Sequence, residues 1–200
     1  MKKAIRRLLL CTLAAGIIFT ASLLRDQKTL ESGLIRLHVV GASDSSLDQQ
    51  RKLRVRDAVL NCIQKDMEKA CSREEAETYL REKLPKLQKA AQTALRQLGV
   101  TDPVQVSLRR EQFPRRVYDS FTLPAGDYES LRVIIGEGKG RNWWCVAFPS
   151  LCLPAAGQDI ETVAEENGFS RSLTGAIRGE KPYQLRFYLL DLLGSWGRSS

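Results

Sequence analysis

The chain has a single histidine, His38, among 200 residues. Metal centres built on imidazole need several, which argues against a Cys/His zinc cluster. Its five cysteines include no C-x-x-C pair. Cys62 and Cys71, like Cys145 and Cys152, stand too far apart for a thioredoxin-like redox motif. No acid occurs before Asp26, whereas Lys2, Lys3, Arg6, Arg7 and Arg25 all precede it. Those basic residues supply most of the formal net charge of +8, and the body beyond them carries 26 Lys+Arg against 23 Asp+Glu. A body so mildly basic argues against a nucleic-acid footprint. Long apolar runs are missing outside residues 8–24. At 43% apolar and 27% charged, the chain is neither disordered nor a polytopic membrane protein. Its length suits one ordinary domain.

What the N-terminus does have is a targeting element. Met1–Arg7 is a positive n-region, and Leu8 to Leu24 is a 17-residue stretch without a charge. That length is short for a bilayer span and long for the core of a signal peptide. A cleaved signal peptide and a retained membrane anchor over residues 1–25 both fit it. The basic side stays cytoplasmic, so the chain after Arg25 is expected outside the cytoplasm. Thr20-Ala21-Ser22 offers small residues for cleavage. Cys11 follows Leu8-Leu9-Leu10 without a small residue before it, unlike a lipoprotein site.

Export leaves four cysteines, Cys62, Cys71, Cys145 and Cys152, in a potentially oxidising compartment. The pairings local in sequence are 62–71 and 145–152, each closing a short loop. The alternative for Cys62 is a reduced, small core residue. Cys145 and Cys152 flank Pro149, which helps bend the chain after a strand, and this pair is expected to be oxidised.

Along the body, Leu34–Val40 reads as a strand ended by Gly41. Ser45-x-x-Asp48 and Ser72-x-x-Glu75 are capping boxes. The first opens a helix carrying Val55, Val59, Cys62, Ile63 and Met67. The second opens a helix carrying Leu80, Leu84, Leu87, Ala91 and Leu95. Pro85 is expected to kink or divide the second helix, and Gly99 to end it. The period then changes to two. Val104–Leu108, Val117–Leu123, Leu131–Ile135 and Trp143–Phe148 read as strands, the last two as hairpin partners across Gly136–Asn142, and Pro124–Asp127 as a turn. The pattern predicts an α+β domain, a helical hairpin packed on a mainly antiparallel sheet, over residues 33–154. Residues 155–200 read as a tail with an apolar helical segment over Pro182–Trp196.

Few residues invite chemistry. Gly136-x-Gly138-x-Gly140, with Lys139 and Arg141, lacks P-loop spacing and a following helix, and reads as a hairpin loop whose two cations form a recognition surface. His38 and Cys145 are the one possible nucleophile pair, without a third member. Asp44 and Asp48 read as turn and cap residues. Adjacent strand residues face opposite sides, so one of Trp143 and Trp144 enters the core and the other meets solvent, the tail or a partner. Lys139, Arg141, Trp143 and Trp144 are therefore the candidate partner-binding residues. The exposed side of Leu53–Val59, with Arg54, Arg56 and Asp57, comes next. No catalytic set, metal site or cofactor is expected. The alternative classes are a secreted hydrolytic or thiol enzyme, and a cell-envelope-binding module.

The runs Ile35–Asp44, Leu53–Val59, Ser120–Tyr128 and Leu131–Cys152, above all Gly-Glu-Gly-Lys-Gly-Arg-Asn-Trp-Trp-Cys, resemble the stage II sporulation protein R family over residues 33 to 154. The resemblance implies an exported signal of sporulation rather than a catalyst. Such a signal leaves the forespore for the space between it and the mother cell. There it activates a membrane-embedded aspartic protease that processes the sigma-E precursor. That protease is the implied partner, and the N-terminal segment the part that enters the membrane. The tail beyond 154 lies outside the resemblance.

Overall fold

A computed structural model describes residues 2–118, 121–149 and 174–175 of the chain. Its elements run α1 (Lys2–Gly33), β1 (Ile35–Val40), α2 (Ser46–Met67), α3 (Arg73–Gln97), β2 (Val104–Phe113), β3 (Arg116–Val117), β4 (Thr122–Leu123), β5 (Gly126–Ile135) and β6 (Asn142–Phe148). The four-stranded sheet has the order β2-β5-β1-β6, with β1 and β5 parallel and the other pairs antiparallel. This is the expected α+β class. The helix pair covers one face. Leu37 and Val39 of β1, Leu131 and Val133 of β5, and Val104 and Val106 of β2 meet Val55, Val59 and Ile63 of α2 and Leu80, Leu87 and Leu95 of α3 in one core.

Both capping serines accept as predicted, Ser45 Oγ from the Asp48 amide at 3.1 Å and Ser72 Oγ from the Glu75 amide at 3.2 Å. The acidic halves of the boxes are displaced. Asp48 takes the Ser43 hydroxyl and Arg51, while Glu75 accepts from the Cys71 amide one residue before the cap. Gly99 follows α3 with φ +73°, the left-handed conformation glycine adopts without strain.

Four expectations are corrected. β5 and β6 are not hairpin partners, because β1 lies between them and bonds to both. Every residue of β1 is buried, and a buried strand must satisfy its backbone groups on both edges. A sheet-edge position for it would leave one row unpaired. Pro85 does not divide α3, which runs unbroken from Arg73 to Gln97. Pro85 and Arg81, whose carbonyl loses its amide partner, both lie on the exposed side, where water replaces the missing bond. The strand expected over 117–123 is a pair of two-residue strands, β3 and β4, bonded to each other. The turn expected at Pro124–Asp127 is reduced to Pro124 and Ala125, because β5 begins at Gly126.

The N-terminal helix also passes the boundary expected at residue 25. It is long and apolar enough to cross a membrane, yet its last third packs on the domain, with Leu23 and Leu30 buried. Gln27 Nε2 donates to the Ala125 carbonyl at 3.3 Å and Glu31 Oε1 accepts from the Asp127 amide at 3.3 Å. The expected tail falls outside the described residues, Thr174 and Gly175 apart.

Candidate functional site

The glycine-rich connection from β5 to β6 crosses the end of β1, and its glycines answer to packing. Gly136 and Gly138 have φ of +59° and +65°. The Gly140 amide donates to the Gly41 carbonyl at 2.9 Å, and a Cβ at Gly140 would run into the Ser43 carbonyl. The neighbouring amide of Arg141 donates to Asp44 Oδ1 at 2.6 Å, and buried Lys52 donates to the Arg141 carbonyl at 2.9 Å. The connection is thus stapled to the β1–α2 loop rather than standing free as a hairpin. Gly140→Ala is expected to destabilise the domain by about 1–3 kcal/mol, since the obstacle is backbone. A urea-unfolding midpoint unchanged from wild type would contradict this.

Outside the staple, Lys139 and Arg141 project into solvent. Lys139 pairs with Glu137 at 2.5 Å and Arg141 lies 3.7 Å from Asp44, all four side chains well exposed. Such pairs contribute little to stability, leaving the cations available to another surface. Beneath them burial, then the Arg141 charge, lowers the Lys52 pKa.

The two tryptophans part company across the sheet. Trp143 packs against the helix-side core, with the Arg56 guanidinium 4.7 Å from its ring centroid. Trp144 lies on the opposite face, stacked on His38 at 3.7 Å and edge-on to Phe113 at 4.6 Å. Three of the four candidate partner-binding residues, Lys139, Arg141 and Trp143, thus share one end of the sheet with Arg56. Trp144 does not join them.

On the Trp144 side the structure builds a polar cluster that the sequence does not announce. His38 Nδ1 donates to Glu111 Oε1 at 2.9 Å, and its Nε2 lies 2.9 Å from Asn142 Oδ1. Arg132 lies 3.7 Å from Glu111. Arg36, fully buried, donates from Nε to the Cys145 carbonyl at 3.0 Å and from Nη2 to the Tyr118 hydroxyl at 2.7 Å. Polar residues at alternate positions of an apolar strand, Arg36 and His38, are the only sequence signal of this face. Their partners come from three other strands or loops.

The possible nucleophile pair is not assembled. His38 faces this cluster while Cys145 faces the helix side. Its expected partner, Cys152, lies outside the described residues. Cys62 and Cys71 both carry free thiols, which corrects the local pairing. Cys62 sits half-buried in the groove between α2 and α3 beside Ala90 and Ala94. Cys71 is exposed in the loop past the helix end, its Sγ 3.6 Å from the Lys69 carbonyl. Among the described residues no three His, Cys, Asp or Glu side chains converge to hold a metal.

A family model described as stage II sporulation protein R matches residues 31–158. The chain belongs to this family. The matched span runs from the end of α1 through β6, and so contains both faces of the sheet and the stapled connection. Stage II sporulation protein R of Bacillus subtilis (strain 168) is 39% identical over 118 residues, 59% of this chain and 53% of the relative. The chain therefore matches about half of that relative's length. No solved structure matches. Membership in the stage II sporulation protein R family supports a role in sporulation, and the apolar α1 is compatible with a signal or anchor segment.

Proposed function

We propose that the chain is an exported signal that acts between the two sporulating compartments. It activates a membrane-embedded aspartic protease, and so triggers processing of the sigma-E precursor in the mother cell. The observation that carries this reading is family membership across the whole folded domain. The apolar, basic-flanked N-terminus supports a route out of the forespore. In this reading the protein is a ligand, not a catalyst, and the contact surface is the end of the sheet bearing Lys139, Arg141 and Trp143, extended by Arg56 from α2. Exposed charges beside a half-buried aromatic suit a partner hot spot.

The test is removal of the gene followed by immunoblotting for the sigma-E precursor during sporulation. Uncleaved precursor is expected, with cleavage restored by the wild-type gene. Lys139→Ala with Arg141→Ala should leave the unfolding free energy within about 0.5 kcal/mol of wild type and restore little cleavage. Normal cleavage by that folded, exported variant would place the contact surface elsewhere. In the exported form Cys145 is expected to pair with Cys152, so non-reducing peptide mapping should find their two peptides joined. Two free thiols there would reject the pairing.

A further inference from the structure

The last third of α1 forms one wall of a cleft of about 710 Å³ whose lining includes Leu24, Arg25, Lys28, Thr29, Ser32 and Arg110. We propose that this cleft binds the phosphodiester headgroup of an anionic phospholipid, seating the domain against the membrane its helix leaves.

Three observations meet here. The first is charge. Arg25 and Lys28 have exposed side chains that make no ion pair or hydrogen bond among the described residues. Arg110, 61% exposed, reaches over from β2 and donates to the Asp127 carbonyl at 3.1 Å. The carboxylate in the cleft, Glu31, is shared among Gln27, the Asp127 amide and, at 3.7 Å, Arg110. It cannot neutralise three cations, so the cleft keeps a positive excess.

The second is depth. Arg25 is the first charge after the uncharged stretch that ends at Leu24. At about 1.5 Å per residue, Arg25 to Ser32 spans roughly 10 Å along the helix. The headgroup layer is about 5–8 Å thick on each side of the hydrocarbon. Arg25 and Lys28 therefore lie at the height of the phosphates, with Leu24 at the acyl boundary.

The third is rigidity. Leu23 and Leu30, on the opposite side of the helix, are buried in the domain. The α1 wall of the cleft is thus fixed in orientation by the domain behind it, with Arg110 of β2 at its side. A flexible linker would have placed the same cations without forming a cleft, giving only diffuse attraction to the surface.

The full chain, reconstituted in nanodiscs, tests the proposal through the rate at which an amine-reactive ester modifies Lys28, read by mass spectrometry. Lys2 and Lys3, at the other end of the span, serve as references because they experience the same surface potential. With phosphatidylglycerol present, Lys28 is expected to react at least threefold more slowly, relative to those references, than in phosphatidylcholine alone. Arg25→Gln with Arg110→Gln should abolish that difference while leaving the circular-dichroism melt unchanged. Soluble glycerol phosphate added to phosphatidylcholine discs should not reproduce it. Equal relative rates in the two lipids, protection that persists in the double variant, or protection by glycerol phosphate would each overturn the assignment. Because the readout involves no protease, failure here leaves the signalling reading intact.

Discussion

Replacing Arg36 by alanine is expected to cost the fold about 3–5 kcal/mol, a large-to-small loss in a closed site compounded by broken hydrogen bonds. Arg36 sits at the centre of the sheet with no exposed surface. Its guanidinium lies 4.4 Å from the Phe113 ring centroid and 5.0 Å from that of Tyr128. Burial lowers its pKa, Tyr118 and Tyr128 work against that shift, and Nη1 has no hydrogen-bond partner. The charge is therefore incompletely compensated, and its attraction to the aromatic faces partly replaces a carboxylate. Alanine would empty the space between the two rings and remove the Arg36 donor from the Cys145 carbonyl. Arg36→Met keeps most of the volume and removes the desolvated charge, so it should lose less than half as much. Urea unfolding of the detergent-solubilised chain, followed by tryptophan fluorescence, measures both. An alanine variant within about 1 kcal/mol of wild type would show that the aromatic box holds without its cation. A methionine variant as damaged as alanine would assign the stabilisation to hydrogen bonds rather than packing.

Glu111 should make the same face sensitive to acid. Burial opposes its ionisation, but the hydrogen bond from His38 and the positive charge of Arg132 outweigh it, and the carboxyl is held below its ordinary range. A carboxylate whose folded-state pKa is lowered stabilises the protein above the range in which unfolded-chain carboxylates titrate. That contribution is lost as pH falls through the folded value. Glu111→Gln should cost about 2–4 kcal/mol at neutral pH, because Arg132 and His38 lose a charged partner in a mostly buried site. In acid the wild type is itself protonated there, so the two stability curves should converge. Parallel curves from about pH 7 down to about pH 3 would remove Glu111 from the acid-sensitive part of the fold.

Local order was legible because local physics sets it. The serines at 45 and 72 cap the helices they precede. The apolar periodicity of α2 and α3 marks the residues that enter the core, and Gly99 ends α3 in a left-handed conformation that glycine adopts without strain. The split of Trp143 and Trp144 to opposite faces follows from strand geometry alone. Which tryptophan joined Lys139 and Arg141 did not follow, because the side of the sheet that the helices cover is a tertiary choice.

The chain's own residues determined its apolar N-terminal segment, its α+β class, its helix caps and the family to which its glycine–tryptophan run belongs. Each of these depends on neighbours within about one turn or one strand, where spacing and chemistry suffice. Only the tertiary structure decided that β1 would part β5 from β6, and that α1 would carry the domain on its last third. The same holds for His38, Glu111 and Asn142, which meet from three strands on the face away from the helices. Those outcomes depend on contacts between residues some 70 to 110 positions apart. The spacing of residues along a chain holds no record of which distant strand completes a buried edge, since the gain comes from closing the sheet as a whole.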